Sequence, residues 1–446
     1  MSVSNVLLIT VDSLRAKPFL RDDARDALTI FDQIENTQGG TVFSRAFATG
    51  PGTTPSFPAL MTGTYPLSMG GFEPLSRDRP FVADRLQTAG METAGFTSNP
   101  FLSTSFNYDT GFNTFQDYQN PLMGFATKLF PRGIEDGSGP LHKLNEYTHA
   151  LDIVKKAYET VSGKARPYVP ANVISTDGID WLETVESPFF GWFHYMDVHH
   201  PCYPPQEYRD RFGVDPAIDV STVSDLYSSM VSAPDELDDS DINTLLNLYG
   251  ASIAYVNDQI ERVFDVLRRN GMWKDTMVIV TSDHGELFGE HGKYAKPEYL
   301  YDELLQVPLV MTNVPADIAV GSDDLVSLID IPPVIHKVLS IENESQYDGQ
   351  LPGINPRQYV LAEHKRDDSV IVGARSNDWR YVHDEIRDAD RLFNVETGER
   401  VSISSWDDKT NLRSAVQQRL DAISLDTDTV DLDSDVEQRL RNLGYK

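Results

Sequence analysis

Three apolar runs along the chain predict buried strands. Residues 4–12, 189–195 and 276–282 have the length of a strand and consist mainly of apolar or β-branched side chains. Continuous apolar runs of this kind are typical of strands that are covered on both faces. Two of the runs lead directly into acids, at Asp12 and Asp283. The carboxyl end of a central strand is where α/β proteins commonly bind a ligand, so both acids are candidates for chemistry.

A second pattern, with apolar positions three or four residues apart, predicts helices between these strands. The clearest helix is 241–270, which has acids near its start and Gly271 just after its end, as helix capping favours. Its apolar positions are Leu245, Leu248, Ile253, Val256, Ile260, Val263 and Leu267. Further elements are predicted as helices at 81–90, 144–161 and 329–339 and as a strand at 93–97. The alternation indicates an α/β fold with a mostly parallel sheet flanked by helices.

The pattern changes near residue 345. The stretch 350–400 holds short, half-polar segments that fit a small antiparallel sheet, at 358–361, 369–374 and 379–383. An acidic stretch then precedes a terminal helix that we predict at 438–444. We therefore expect a catalytic α/β domain over 1–345 and a small α+β subdomain over 346–446.

The charge balance is far from that of an ordinary protein. The 68 acids outnumber the 38 Lys and Arg residues and give a formal net charge of −30. Excess surface carboxylate suits a protein kept soluble in concentrated salt, where screening weakens the repulsion. We interpret the chain as halophilic, with a merely acidic mesophilic protein as the alternative. The sequence has no basic run, which argues against nucleic-acid binding.

The cysteine count and the apolar runs bear on location. Cys202 is the sole cysteine, so no disulfide can form within the chain. No stretch approaches the roughly 20 apolar residues that a membrane helix needs. The N-terminal run is also too short for a secretory signal. We predict a cytoplasmic protein without a transmembrane segment, and the sequence does not indicate its oligomeric state.

Candidate chemistry is concentrated where the apolar runs end. Asp283 and His284 follow one strand and Asp12 ends another, while loop 50–56 places hydroxyls ahead of a helix-like stretch. Carboxylates and an imidazole are suitable ligands for one divalent cation. A hydroxyl held on such a cation becomes an effective nucleophile. The residues therefore suggest a metal-activated hydroxyl.

Several segments, in order along the chain, resemble the sulfatase-like family of the alkaline phosphatase superfamily. They are the first strand and metal loop at 6–15, the nucleophile segment at 51–66, a histidine loop at 194–205, a second metal loop at 281–308 and a C-terminal sheet at 374–399. The resemblance covers nearly the whole chain, and the order of the motifs is more specific than any one of them.

The resemblance implies a role for eight residues. Thr53 falls on the position of the nucleophile, with adjacent Thr54 as its rival. The implied ligands of one divalent metal ion (Mn, Mg, Ca or Zn) are Asp12, Thr53, Asp283 and His284. The implied donors to the substrate or its leaving group are His199, His291, Lys296 and Asn99. An alternative adds a second ion, held by Asp197, His199 and His291.

Three departures from the family pattern favour phosphate over sulfate esters. Family sulfatases convert a Cys or Ser at the nucleophile position to formylglycine, and Thr53 cannot be converted in that way, so no formylglycine is expected. The Arg expected four residues later is Phe57, and the acid expected after the first metal ligand is Ser13. A Thr nucleophile resembles the phosphodiesterases and the phosphoglycerol or phosphoethanolamine transferases of the superfamily.

Three functions follow from these motifs. The first is metal-dependent hydrolysis or transfer of a phosphate ester, such as a phosphodiester or a phosphorylated glycan or lipid head group, through Thr53. The second is a sulfatase that acts on sulfated glycans without formylglycine. The third is a protein that binds anionic glycans with weak turnover or none, which the replacements at Phe57 and Ser13 would suit.

Overall fold

The described part of the chain is built around one large sheet. The computed structural model describes residues 3–37, 39–72, 74–76, 78–118, 168–316, 318, 324–341 and 347–424. Seven strands form the large sheet: Asn5–Val11 (β1), Thr41–Val42 (β2), Glu92–Phe96 (β4), Thr114–Gln116 (β5), Phe189–Tyr195 (β6), Thr276–Thr281 (β7) and Leu309–Met311 (β11). Their spatial order is β2-β11-β7-β1-β6-β4-β5.

Strand β1 lies in the middle of this sheet, as expected of a fully apolar strand. It pairs in parallel with β6 on one side and β7 on the other, and Thr10 is level with both His194 and Thr281. The two strands at one edge, β11 and β2, run antiparallel to their neighbours. The prediction of a mostly parallel sheet is therefore confirmed.

Helices cover both faces of the sheet. Successive side chains of β1 point to opposite faces and are apolar on both, so each face needs a cover. Leu7 and Ile9 belong to one apolar core and Val6 and Leu8 to the other. The helices are Asp22–Asp26 (α1), Thr29–Glu35 (α2), Thr53–Thr62 (α3), Val82–Thr88 (α4), Ala171–Leu182 (α5), Gln206–Arg211 (α6), Val220–Ser232 (α7), Asp239–Arg269 (α8), Asp302–Leu305 (α9), Ile331–Val338 (α10) and Leu412–Asp421 (α11).

Helix α8 confirms the clearest helical pattern of the sequence to within two residues. It has 31 residues and begins at a capping box, in which Asp238 and Asp241 each accept a backbone N–H of the other. Its apolar stripe packs into the core that contains Leu7 and Ile9. No helix in the described residues is both long enough and apolar enough to cross a membrane.

The C-terminal sheet is antiparallel, as the half-polar strands predict. Its five strands are Val360–Arg366 (β13), Ser369–Arg375 (β14), Trp379–Asp384 (β15), Ala389–Asn394 (β16) and Arg400–Val401 (β17), and α11 packs on β14 and β15. The first strand begins two residues later and is longer than its pattern indicates. The boundary at residue 345 stays a prediction, while the helices predicted at 144–161 and 438–444 lie outside the described residues.

Short strand pairs complete the fold near the edge where the main strands end. Ala46–Phe47 (β3) lies between Gln306–Val307 (β10) and Val326–Ser327 (β12), and Leu287–Phe288 (β8) pairs with Tyr294–Ala295 (β9). The C-terminal sheet reaches the same region, because the backbone N–H of Glu363 on β13 donates to the carbonyl of Thr49 at 2.7 Å. The sheet therefore supports the loop that leads into α3.

Candidate active site and metal centre

The ends of β1 and β7 bring two carboxylates and an imidazole together. Asp12 directly follows β1, and Asp283 and His284 follow β7, its parallel neighbour. All three side chains are fully buried, and one ligand atom of each lies within 4.8 Å of the others. They form the one group of three or more potential metal ligands found in the described part of the chain. We call these three residues the acidic cluster.

The lone pairs of the acidic cluster face one another. Nδ1 of His284 is 2.8 Å from the carbonyl of Gly285, so it carries the ring proton and leaves Nε2 as an acceptor. That Nε2 atom lies 3.4 Å from Asp283 Oδ2 and 3.6 Å from Asp12 Oδ1. Oδ2 of Asp283 accepts no hydrogen bond from the described residues. Buried electron-rich atoms this close fit a divalent cation between them.

The pKa shifts agree with this donor set. Burial, and next the charge of Asp12, raise the pKa of Asp283 to about 7. Burial acts in the same direction on Asp12, but the surrounding histidines hold its pKa well below the ordinary value. Burial also lowers the pKa of His284, so its ring is neutral at pH 7. Without a cation, Asp283 is therefore partly protonated near neutral pH, whereas a bound cation would keep both carboxylates ionised.

Thr53 reaches the acidic cluster from the N-terminus of α3. Its hydroxyl oxygen lies 3.3 Å from His284 Nε2 and 3.5 Å from Asp12 Oδ2. The loop before it is tightly packed, since a Cβ atom on Gly50 would lie 2.9 Å from the carbonyl oxygen of Glu363. The neighbouring Thr54 is half-buried, and none of its described contacts is with the cluster. The geometry favours Thr53 over Thr54 as the hydroxyl beside the candidate metal.

Lys296 and His199 lie together beside the acidic cluster. Lys296 Nζ is 2.7 Å from His199 Nε2 and 3.4 Å from the hydroxyl oxygen of Ser13. His199 Nδ1 lies 2.6 Å from the carbonyl of His200, so Nδ1 carries the proton and Nε2 accepts from the lysine. Burial, and then the charge of Lys296, lower the pKa of His199 to about 3. The ammonium group is therefore the proton donor of this pair at neutral pH.

Asn99 lies beside the cluster, and its hydrogen bonds are to a carboxylate and to the backbone, so its predicted role as a donor to the substrate stays a prediction. Its Nδ2 donates to Asp12 Oδ2 at 2.8 Å, and its Oδ1 accepts the backbone N–H of Phe101 at 3.0 Å. The side chain is fully buried. Asn99 therefore orients a carboxylate of the acidic cluster.

His291 is not brought to the acidic cluster by its described contacts. Its Nε2 lies 3.1 Å from both carboxylate oxygens of Glu303, and its ring stacks on Tyr301 with centroids 4.0 Å apart. The side chain is 36% exposed. The residue lies on a left-handed turn, with φ of 58°, which directs the side chain to this partner. Asp197, His199 and His291 likewise form no ligand group in the described residues, so the two-ion alternative has no support there.

Two further buried residues, for which the sequence predicts no role, also contact the site. His194, in the buried strand β6, has Nε2 3.4 Å from Asp12 Oδ2 and Nδ1 2.9 Å from the hydroxyl oxygen of Thr10. Glu286 has Oε2 3.6 Å from Lys296 Nζ. The sequence signal for Glu286 was an acid two residues after His284. No comparable signal marks His194, because the pairing of β6 with β1 cannot be read from the chain.

The departures at Phe57 and Ser13 fit the geometry of the site. Phe57 is fully buried, and its ring packs edge-on against His194 with centroids 5.1 Å apart. An apolar side chain therefore supports a histidine where the family places an arginine. Ser13 has a left-handed backbone with φ of 61°, and its N–H lies 3.3 Å from Asp283 Oδ1. Its hydroxyl donates to Asp12 at 3.0 Å, so it is a hydrogen-bonding neighbour of the cluster.

Comparison with known proteins agrees with the fold described above. Residues 4–341 match the family model described as Sulfatase. The chain therefore belongs to the sulfatase family. Among relatives, the uncharacterized sulfatase YidJ of Escherichia coli strain K12 is 29% identical over 203 residues, which are 43% of this chain and 39% of that protein.

Two solved structures share the fold over most of the chain. One is a protein in complex with its substrate D-glucosamine-2-N,6-O-disulfate, with a TM-score of 0.68 and 15% identity over 94% of this chain and 98% of the other. The other is the phosphonate monoester hydrolase of Agrobacterium radiobacter, with a TM-score of 0.64 and 18% identity over 94% of each chain. Identities this low show a shared fold and no more. The substrate of the first protein is a sulfated sugar, whereas the second is a hydrolase of phosphonate esters.

Proposed function

We propose that this protein is a metal-dependent hydrolase or transferase of phosphate esters that uses Thr53 as its nucleophile. The observation that carries the proposal is the position of the Thr53 hydroxyl, 3.3 Å from His284 Nε2 at the edge of the acidic cluster. A hydroxyl needs activation to attack an ester, and this one lies beside the donor set that fits a divalent cation. Helix α3 also begins at Thr53, and a helix N-terminus favours a bound anion.

Asp12, Asp283 and His284 would hold the ion, with Thr53 beside it. A divalent cation there would lower the pKa of a neighbouring hydroxyl and draw charge from an ester oxygen. Asn99 and His194 orient Asp12 through its Oδ2 atom. These partners keep the carboxylate in place before substrate arrives, which reduces the reorganisation needed during the reaction.

The leaving group would receive its proton from Lys296. Attack by the Thr53 oxygen forms a Thr–phosphorus bond, releases the hydroxyl proton to water and breaks the bond from phosphorus to the leaving oxygen. That oxygen takes a proton from the Lys296 ammonium group. In the resting site the same ammonium group donates a hydrogen bond to His199 Nε2 at 2.7 Å. Water or an acceptor alcohol then displaces Thr53 from phosphorus. Hydrolysis and transfer differ in this second step alone.

The charges around the site favour an ester with one negative charge. Asp12, Asp283 and Glu286 bring three negative charges when ionised, and a divalent cation together with Lys296 would bring three positive ones. A phosphodiester adds one further negative charge, whereas a phosphate monoester adds nearly two that the site does not offset. We therefore propose a phosphodiester, such as that of a phosphorylated glycan or lipid head group, before a monoester.

Sulfate esters are the second candidate, because they also carry one negative charge. The observation in their favour is family membership together with the fold shared with a protein that binds a sulfated glucosamine. Against them stands Thr53 at the nucleophile position, while Cys202 is fully buried in the apolar core that α8 packs into. A sulfatase of this kind would need a nucleophile other than formylglycine.

The test compares three nitrophenyl esters with metal-loaded protein in concentrated salt: the phosphodiester, the phosphate monoester and the sulfate. We expect the phosphodiester to be cleaved fastest and Thr53→Ala to lower kcat on the order of 10³-fold or more. Thr54→Ala is the matched control and should retain most of the rate. Faster cleavage of the sulfate would replace the proposal by its second candidate. Full activity of Thr53→Ala would overturn the mechanism, and tight binding of the esters without turnover would favour a binding protein.

A further inference from the structure

The backbone after His284 directs Glu286 into the interior. The N–H of Gly285 donates to the carbonyl of Leu304 at 2.8 Å. A Cβ atom on Gly285 would lie 2.0 Å from the carbonyl oxygen of Glu303, so a glycine is required at this close approach. The next side chain, that of Glu286, is 0% exposed. Its position is therefore fixed by the chain and does not result from a flexible loop.

The carboxylate of Glu286 has unusually few partners for a buried acid. Neither of its oxygens accepts a hydrogen bond from the residues that the structure describes. Lys296 Nζ lies 3.6 Å from Oε2, which is an ionic contact longer than a hydrogen bond. An acid buried in this way reduces the stability of the fold, so its presence calls for a role other than packing.

The contact between these two residues is asymmetric. Lys296 is 11% exposed and lies within hydrogen-bonding distance of His199 Nε2 and the Ser13 hydroxyl as well as near Glu286. Glu286 depends on Lys296 for its compensating charge, whereas Lys296 has further acceptors. A lysine side chain has four flexible methylene groups, and a fixed negative charge behind it restricts where its ammonium group rests.

We propose that Glu286 is a positioning residue, which holds the Lys296 ammonium group between His199 and Ser13, facing the ester that Thr53 attacks. Glu286 does not touch the ester and acts through Lys296. The part of Lys296 in the reaction rests on the proposed function, while the pairing of Glu286 with Lys296 does not. Glu286 is not a ligand in the acidic cluster, because its oxygens lie outside that group and a cation beside them would be repelled by the ammonium charge.

The pairing is tested by unfolding in urea, without any substrate. Lys296→Gln removes the one described cation beside Glu286 and should lower the unfolding midpoint. Glu286→Gln should leave the midpoint nearly unchanged, because Lys296 keeps its other acceptors. The double variant should recover most of the loss seen in Lys296→Gln, since the unpaired carboxylate is gone. Equal and additive losses in the two single variants would overturn the pairing.

The positioning role is tested by kcat on esters of a series of phenols, in whichever ester class the wild type cleaves in a Thr53-dependent way. Glu286→Gln should lower kcat at least tenfold, and the loss should grow as the leaving phenol becomes more basic. Lys296→Gln should show the same trend, and the double variant should be little worse than Lys296→Gln alone. Glu286→Asp, which keeps the charge, should recover part of the rate.

A matched control is available in Glu363, a second fully buried glutamate. Glu363→Gln should lower the unfolding midpoint and leave kcat of the folded protein unchanged, the reverse of Glu286→Gln. Wild-type kcat in Glu286→Gln would overturn the positioning role, and so would a loss of bound metal per chain, which would make Glu286 a ligand. A wild type whose turnover does not need Thr53 would instead refute the proposed function, and the urea experiment would still decide the pairing.

Discussion

Two regions of this protein bury acids, and they treat the charge in opposite ways. In the C-terminal third, buried carboxylates are paired with arginine: Glu363 with Arg419 at 2.6 Å, Asp384 with Arg391 at 2.6 Å and Arg387 at 2.9 Å, and Asp330 with Arg357. At the carboxyl edge of the main sheet, Asp12 and Asp283 face each other and a neutral imidazole. The acids of the C-terminal third are neutralised by arginine and stabilise the fold, whereas the acids at the sheet edge have no such cation, which fits the metal site proposed for them.

The difference is clearest between the two buried glutamates. Glu363 accepts hydrogen bonds from Arg419 Nε at 2.6 Å and from the backbone N–H of Leu67 at 2.7 Å. Arg419 also reaches the hydroxyl of Ser68 at 2.7 Å, so the pair fastens α11 to the segment that follows α3. Glu286 accepts no such bond from the described residues. Burial alone therefore does not identify a functional acid, and the number of its donors must be considered as well.

The largest loss of stability is expected from breaking one of the buried pairs between a carboxylate and an arginine. Arg419→Ala leaves Glu363 charged and buried without its partner, which should lower the free energy of unfolding by about 3–5 kcal/mol. The measurement is urea unfolding of the metal-loaded protein. Arg413→Ala, on the same helix and on its exposed side, should cost less than about 1 kcal/mol. A loss below about 1 kcal/mol in Arg419→Ala would contradict the view that this pair holds the fold.

The unpaired side should show a pH dependence of stability when the metal is removed. The pKa of Asp283 is raised to about 7 in the folded protein, against about 4 in the unfolded chain. The folded state therefore binds more protons, and stability should fall as the pH rises from about 4 to 7, by about 3 kcal/mol. Asp12, whose pKa is lowered, acts in the opposite sense, but only below about pH 4.

The control for this dependence is Asp283→Asn, which has no carboxyl proton to lose and should give a flatter profile. A saturating divalent cation should also remove the fall in stability, because it takes the place of the proton on Asp283. The profiles are obtained by thermal or urea unfolding in the presence and absence of a chelator. Identical profiles for wild type and Asp283→Asn would show that the titration of Asp283 does not cause the fall in stability.

The sequence was sufficient for the elements that burial determines. The apolar runs identified β1, β6 and β7, and the helical stripe identified α8 to within two residues. Because parallel strands end at one edge, Asp12 and the Asp283–His284 pair could be expected to meet there, and they do. The position of Thr53 beside them followed from the order of the motifs, since no local pattern distinguishes it from Thr54.

The sequence was not sufficient for the directions in which loop side chains point. His291 lies in a conspicuous motif, and a left-handed turn brings it to Glu303, while Asn99 contacts Asp12, and the sequence pattern indicates neither contact. His194 lies within a buried strand and looks like a core residue until the pairing of β6 with β1 is known. Such roles depend on tertiary neighbours, which a one-dimensional pattern does not contain.

The smallest loss of free energy is expected from a change at Asn99, the neutral side chain that donates a hydrogen bond to the acidic cluster. Asn99→Ala removes the donor to Asp12 Oδ2 and should weaken metal binding about tenfold, or by about 1.4 kcal/mol, as is usual for residues that orient a ligand. Asn257→Ala is the matched control, because Asn257 is also buried and accepts a backbone N–H at 3.0 Å, from Ile30. We expect both variants to lose a similar part of their stability, whereas the control lies on α8 and should bind metal like the wild type. Titration of the metal-free proteins with Mn²⁺ measures the difference. Equal metal affinities in the two variants would contradict this role, because they would mean that the carboxylates of the cluster are oriented for metal binding without Asn99.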